Sequence, residues 1–248
     1  MIGGPTALAV SLREALTGAV EPAADGQLQG FRRRPAESLN PPPLEPDFVE
    51  RCRLAVARLV AAEDEGTIAV SSARRGEGRS SVAAAIALAL SRSRAEGRVL
   101  LLDLDFGHGA QADLLSIAPS PGLADFLEGR ERLRLVAGGP NRQLWHVPAG
   151  THLGDRLLLF HLVASEALLG TFRLKFQWVV VDLPPVLGHP ETTPLLRQAD
   201  WQLFVGRHRR TTLADLREVV EVVGDEKPAG FLLTGDSTRM PRWIRRLL

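Results

Sequence analysis

Short, almost wholly aliphatic runs that end in aspartate constrain the fold of this chain more than any other feature. Val99-Leu-Leu-Leu-Asp103 and Trp178-Val-Val-Val-Asp182 carry no charged residue before the last position. Strands with one wet face alternate apolar and polar side chains, so runs like these suit strands covered on both faces. Helical spacing stands between them. Strands are predicted at 67–71, 98–103, 144–147, 178–182, 202–205 and 230–233. Helices are predicted at 48–62, with Asp47 as N-cap, and at 80–93, 123–127, 155–172, 190–198 and 211–223. This alternation implies an α/β fold: a parallel sheet with helices on both faces.

The 248 residues suffice for one large domain and a tail. Seven of the 17 prolines fall in residues 1–47, including Pro41-Pro42-Pro43. Residues 1–47 therefore read as a flexible Pro-rich leader, with residues 48–248 as the domain. Within the leader, Leu8, Leu12, Leu16 and Val20 have the spacing of a short docking helix. Lone Cys52 excludes a disulfide framework and a four-cysteine zinc site. Basic and acidic residues nearly cancel, 30 against 29, so no nucleic-acid partner is expected. The longest apolar run, Val82–Leu90, falls far short of the roughly 20 residues of a membrane span. Met1–Val20 has no basic segment leading into an apolar core, so no secretory signal is expected. Only Lys175 and Lys227 are lysines, and tyrosine is absent altogether.

The first strand runs into Ser71-Ser-Ala-Arg-Arg-Gly76-Glu77-Gly78-Arg79-Ser80-Ser81 and an alanine-rich helix. A strand, a glycine loop and a helix N-terminus together make a phosphate cradle, because glycines let backbone N–H groups curl round oxygens. Ser80 stands where a phosphate-loop hydroxyl would ligate Mg²⁺. Asp103, Asp105 and Asp182 close apolar strands at the edge where open parallel sheets bind ligands. They are candidates to hold Mg²⁺ or its waters, Asp103 also as the catalytic carboxylate; capping the following turn is the competing use. Arg207-His-Arg-Arg210 follows a strand and falls at the same edge, either as an approach to an acidic partner or as a solvated loop. The six histidines lack metal-ligand spacing.

Taken in order, Ser-Ser-x-x-x-Gly-Glu-Gly-x-Ser, Leu-Leu-Asp-x-Asp and Val-Val-Asp-x-Pro-Pro resemble the cytoplasmic domain of bacterial tyrosine kinases (BY-kinases). These sit within the Min/Par-type deviant P-loop ATPases. Pro121-Gly-Leu-Ala-Asp-Phe-Leu-Glu-Gly129 and Val147-Pro-Ala-Gly150 extend the resemblance, which covers about residues 48 to 234. It implies a P-loop NTPase-like fold, with Gly76, Glu77, Gly78, Arg79, Ser80 and Ser81 at the phosphates. Ser80, Asp105 and Asp182 would then serve Mg²⁺. It also implies a membrane polysaccharide co-polymerase (Wzz-like) as partner, self-association, and a cytoplasmic place at the inner membrane held through that partner.

The chain departs from the family where chemistry is decided. The invariant loop lysine is Arg79, and Arg75 replaces a proline before the glycines. Arginine keeps the charge but presents a wide planar fork instead of a compact ammonium. Thr234 stands where the family carries an adenine-holding asparagine. Glu50-x-x-Arg53-x-x-Val56 matches two of three positions of the family's oligomerisation motif, and the C-terminal tyrosine cluster is missing. In its place, Met240-Pro-Arg-Trp-Ile-Arg-Arg-Leu-Leu248 has the composition of either an interfacial anchor or a packed end.

Resemblance and departures together imply a pseudokinase that regulates exopolysaccharide, capsule or holdfast-type polysaccharide biosynthesis or export. ATP and Mg²⁺ binding would be weak or absent. The alternatives are a slow Min/Par-type ATPase switch and a tyrosine kinase acting only in trans.

Overall fold

The computed structural model describes residues 44–60, 63–93, 98–138, 143–164, 166–224 and 229–235. The proposed leader helix, Lys227 and the Trp243-bearing end lie outside the described residues.

Seven strands form one sheet: β1 (Gly66–Ser72), β2 (Val99–Asp103), β3 (Val136–Gly138), β4 (Leu144–Val147), β5 (Trp178–Asp182), β6 (Trp201–Arg207) and β7 (Ala229–Thr234). Their order is β3-β4-β2-β5-β1-β6-β7. All pairings are parallel except β3 with β4. β3 was not predicted, and at three residues it is too short to carry a periodic signal. The aliphatic runs behave as their composition demands, with every residue of β1, β2 and β5 buried.

Burial on both faces requires two cores, and two are present. On one face α1 (Pro46–Val60) lies over α2 (Arg79–Ser93), with Val49, Cys52 and Val56 in the same cluster as Val82 to Leu90. The apolar stretch of α2 is buried throughout, which explains its lack of a polar stripe. α1 begins at Pro46, so Asp47, the predicted N-cap, is instead the second residue of its first turn. The other face is covered by α4 (Leu123–Leu127), α5 (Arg156–Ala164), α6 (Glu166–Arg173), α7 (Thr193–Gln198) and α8 (Leu213–Val223). The helix expected at 155–172 is helical over Arg156–Ala164 and Glu166–Arg173, and the stretch 190–198 opens with a 3₁₀ turn, Pro190–Thr192. A short α3 (Ala110–Leu114) follows β2.

Among the described residues, no helix is long and apolar enough to cross a membrane. Of the motif on α1, Glu50 and Arg53 pair with each other at 2.6 Å on the exposed face, and Val56 belongs to the core.

Candidate functional site at the C-terminal edge of the sheet

β1 lies inside the sheet, with β5 on one side and β6 on the other. The residues after its end therefore lie against the ends of both neighbours, in the crevice where open α/β sheets take ligands. The segment from Ala73 to Gly78 bends there and enters α2 at Arg79. Gly76 and Gly78 have φ of 78° and 89°, which side chains other than glycine's adopt only at a cost. Space adds little, since the atom a Cβ on Gly76 would meet, Arg210 Nη1 at 2.9 Å, is the movable tip of an exposed side chain.

Glu77, between the glycines, turns its carboxylate inward, where it accepts the Arg74 N–H at 2.7 Å and the Thr211 hydroxyl. Thr234 donates its hydroxyl to the Glu77 carbonyl at 2.5 Å, so the side chain at the adenine-asparagine position is tied to the loop. Ser80 and Ser81 form the first turn of α2, half-exposed.

Arg79 is buried, and its guanidinium faces carboxylates. Nε donates to Asp182 Oδ1 at 2.7 Å and Nη2 to Asp105 Oδ2 at 2.8 Å. Burial works against the charged guanidinium, but the Asp182 and Asp105 carboxylates outweigh it and raise its pKa. Burial likewise opposes the Asp105 carboxylate, and the Arg79 and Arg75 charges overcome it, so Asp105 titrates below its usual range. Arg75 reaches Asp105 at 3.2 Å and lies 3.3 Å from His189 Nε2.

Asp103 is paired in register with Asp182 across β2 and β5. Its oxygens accept the backbone N–H groups of Asp105 at 3.0 Å and Gln111 at 3.4 Å, which caps the intervening turn. Full burial, and then the charge of Asp182, push the Asp103 carboxyl well above the usual carboxylate range.

Gln111 is the site residue that sequence reasoning missed. It is fully buried, and its amide donates to the Ser80 carbonyl at 2.8 Å and to Asp182 Oδ2 at 2.9 Å. No spacing rule marks it; a glutamine eight residues after a strand-end aspartate reads as ordinary loop.

The structure thus brings together every residue singled out in sequence: the loop from Gly76 to Ser81 and the three aspartates. Both oxygens of Asp182, and Oδ2 of Asp105, already hold protein donors. Among the described residues, no three His, Cys, Asp or Glu side chains converge as a metal-ligand set. Arranged this way, the carboxylates do not fit Mg²⁺, because a guanidinium supplies the charge they would take from the ion.

No family model matches the chain. A stretch of 104 residues, 41% of the chain, is 33% identical to a putative tyrosine-protein kinase EpsB of Ralstonia solanacearum, and covers 14% of that protein's length. The chain adopts the fold of the VpsO kinase domain, with TM-score 0.63 and 23% identity over 75% of this chain and 93% of that one. It also matches the kinase domain of Escherichia coli tyrosine kinase ETK, with TM-score 0.67 and 20% identity over 88% and 89%. A cobyrinic acid a,c-diamide synthase from Mycobacterium smegmatis with bound ATP analog and magnesium shares the fold at TM-score 0.52 and 22% identity, over 73% and 79%. The architecture is P-loop NTPase-like.

Proposed function

We propose that this relative of the bacterial tyrosine kinase domains is a pseudokinase. In this reading it regulates exopolysaccharide, capsule or holdfast-type polysaccharide biosynthesis or export by binding a membrane co-polymerase partner of the Wzz-like kind. The observation that carries the reading is the seat of Arg79 between Asp105 and Asp182. Phosphoryl transfer depends on cations placed on the phosphate oxygens and on an in-line nucleophile. Here the loop's cation is spent on the carboxylates that would orient such an ion, and the planar fork suits that bidentate task better than an ammonium would. None of these 248 residues is a tyrosine, so none of them can take a phosphate on a phenol. What remains is binding, to a partner and weakly to nucleotide.

The test is a titration of the full chain with Mg-ATP, followed by a turnover assay on the parent and on Arg79→Lys. Turnover by the parent at a rate that Arg79→Lys leaves unchanged would sink the pseudokinase reading. One observation favours a second reading, a slow ATPase switch: Gly76 and Gly78 keep the left-handed backbone of a phosphate loop. Hydrolysis by the parent that vanishes in Asp103→Asn would support it.

A further inference from the structure

The C-terminal edge of the sheet presents leucines to solvent beside arginines at both ends. Beyond β4, Leu153 is 72% exposed, and Leu157 and Leu158 in the first turn of α5 are 55% and 57% exposed. Arg156 stands among them, 3.8 Å from Glu191. Beyond β6, Arg207, Arg209 and Arg210 are all exposed, and Leu213 at the start of α8 is 73% exposed. β4 and β6 are four places apart in the sheet, about 19 Å at the usual strand spacing.

The arginine turn has a fixed shape. Thr211 Oγ1 accepts the Arg207 N–H at 2.7 Å, and the N–H groups of Arg210 and Thr211 return to the Arg207 carbonyl at 3.0 and 2.9 Å. Arg209 holds a φ of 62°, uncommon for a residue with a side chain. Arg207 donates to the Gly76 carbonyl at 3.0 Å, and among the described residues none of the three is paired with a carboxylate. The opposite edge is mixed in sign, with exposed Glu63-Asp64-Glu65 leading into β1 and exposed Arg173 and Arg197 before β5 and β6.

A protein partner would meet a continuous apolar centre with aromatic anchors. This edge instead splits its leucines between two ends and sets the arginine turn beside Leu213, while Asp155 and Glu191 offset Arg156 at the other end. That pattern combines the two signals that hold a protein at a lipid surface: apolar side chains entering the headgroup boundary, and cations facing anionic headgroups.

We propose that the C-terminal edge of the sheet docks on an anionic lipid surface. The inference goes beyond the pseudokinase reading and does not depend on it. It is tested without nucleotide, by sedimenting the full chain with phosphatidylcholine vesicles with and without phosphatidylglycerol. Binding is expected only with phosphatidylglycerol and is expected to weaken as salt rises. Arg207→Glu/Arg209→Glu/Arg210→Glu should lose about a hundredfold in affinity, and Leu157→Asp/Leu158→Asp about tenfold. Leu174→Asp, an exposed leucine before β5 at the other edge, should bind like the parent. Circular dichroism of each variant checks that these exposed substitutions leave the fold intact. The proposal is overturned if anionic vesicles do not bind or if both edge variants bind like the parent. It is also overturned if Trp243→Ser/Ile244→Ser abolishes binding that the edge variants retain, or if a hexaglutamate peptide binds where vesicles do not. Turnover of ATP by the parent would remove the pseudokinase reading and leave this result untouched.

Discussion

Arg79 and Asp182 meet at 2.7 Å with both side chains buried, one from the helix after β1 and the other from the end of β5. Removing one partner of a buried ion pair strands the other charge, which costs far more than the pair contributes. Arg79→Ala should therefore lower the unfolding free energy by about 3–5 kcal/mol in denaturant titrations. Adding Asp105→Asn and Asp182→Asn to that variant should recover most of the loss. A triple variant no more stable than Arg79→Ala would show that the stranded carboxylates are not the cause.

Gln111 is the second donor on Asp182. Gln111→Leu keeps the volume but leaves the Ser80 carbonyl and Asp182 Oδ2 without that amide, and should cost about 1–3 kcal/mol. Gln111→Glu should cost more, since it replaces a donor with a further carboxylate beside Asp103 and Asp182. Urea unfolding of the two variants ranks them.

Glu128 gives a pH signature. Burial opposes its ionised form, but Arg130, His152 and the backbone N–H groups of Gly154 and Leu153 lower its pKa from 4.5 to about 2. A carboxyl depressed in the folded state stabilises above its unfolded pKa, and that contribution is lost as pH falls through the folded value. The stability gap between the parent and Glu128→Gln should thus be full at pH 6 and close between about pH 4.5 and pH 2. A gap that persists at the acid end contradicts this assignment.

His146 titrates the other way from a surface imidazole. Complete burial pushes it down to about 3. The unfolded chain takes up a proton near 6.5 that the folded chain refuses, so this residue withdraws stability as pH falls below 6.5. In nitrogen-resolved NMR spectra its ring should remain neutral at pH 5, where an exposed histidine is charged.

Gly122 is required by space. A Cβ there would lie 2.4 Å from the Gly150 nitrogen and 2.5 Å from the Pro148 carbonyl oxygen, both of them backbone atoms. Those two loops are joined by the N–H groups of Leu123 and Ala124 bonding to the carbonyls of Pro148 and Ala149, each at 2.8 Å. Gly122→Ala should cost about 3 kcal/mol or more, measurable as a drop in Tm.

The sheet was legible because its strands are uniform: Val179 to Val181 and Leu100 to Leu102 are buried on both sides, and composition alone reports that. β3 and α3 were illegible because three and five residues cannot display a period. At the site, the loop and the aspartates announce themselves by spacing along the chain. Gln111 does not, since its role exists only once β2 and β5 bring Asp103 and Asp182 side by side. Arg79 was legible as a substitution, and its partners were not. The same fork could reach along the loop or back toward the strand ends, and only packing chooses.

Glu77 is a rivet. Its carboxylate is fastened to Thr211, its carbonyl to Thr234, and Thr211 in turn caps the Arg207 turn. Loosening the glycine loop would therefore release the arginine turn, and pulling on that turn would strain the loop. Whatever occupies the interior of this edge and whatever rests on its rim act on a single mechanical unit.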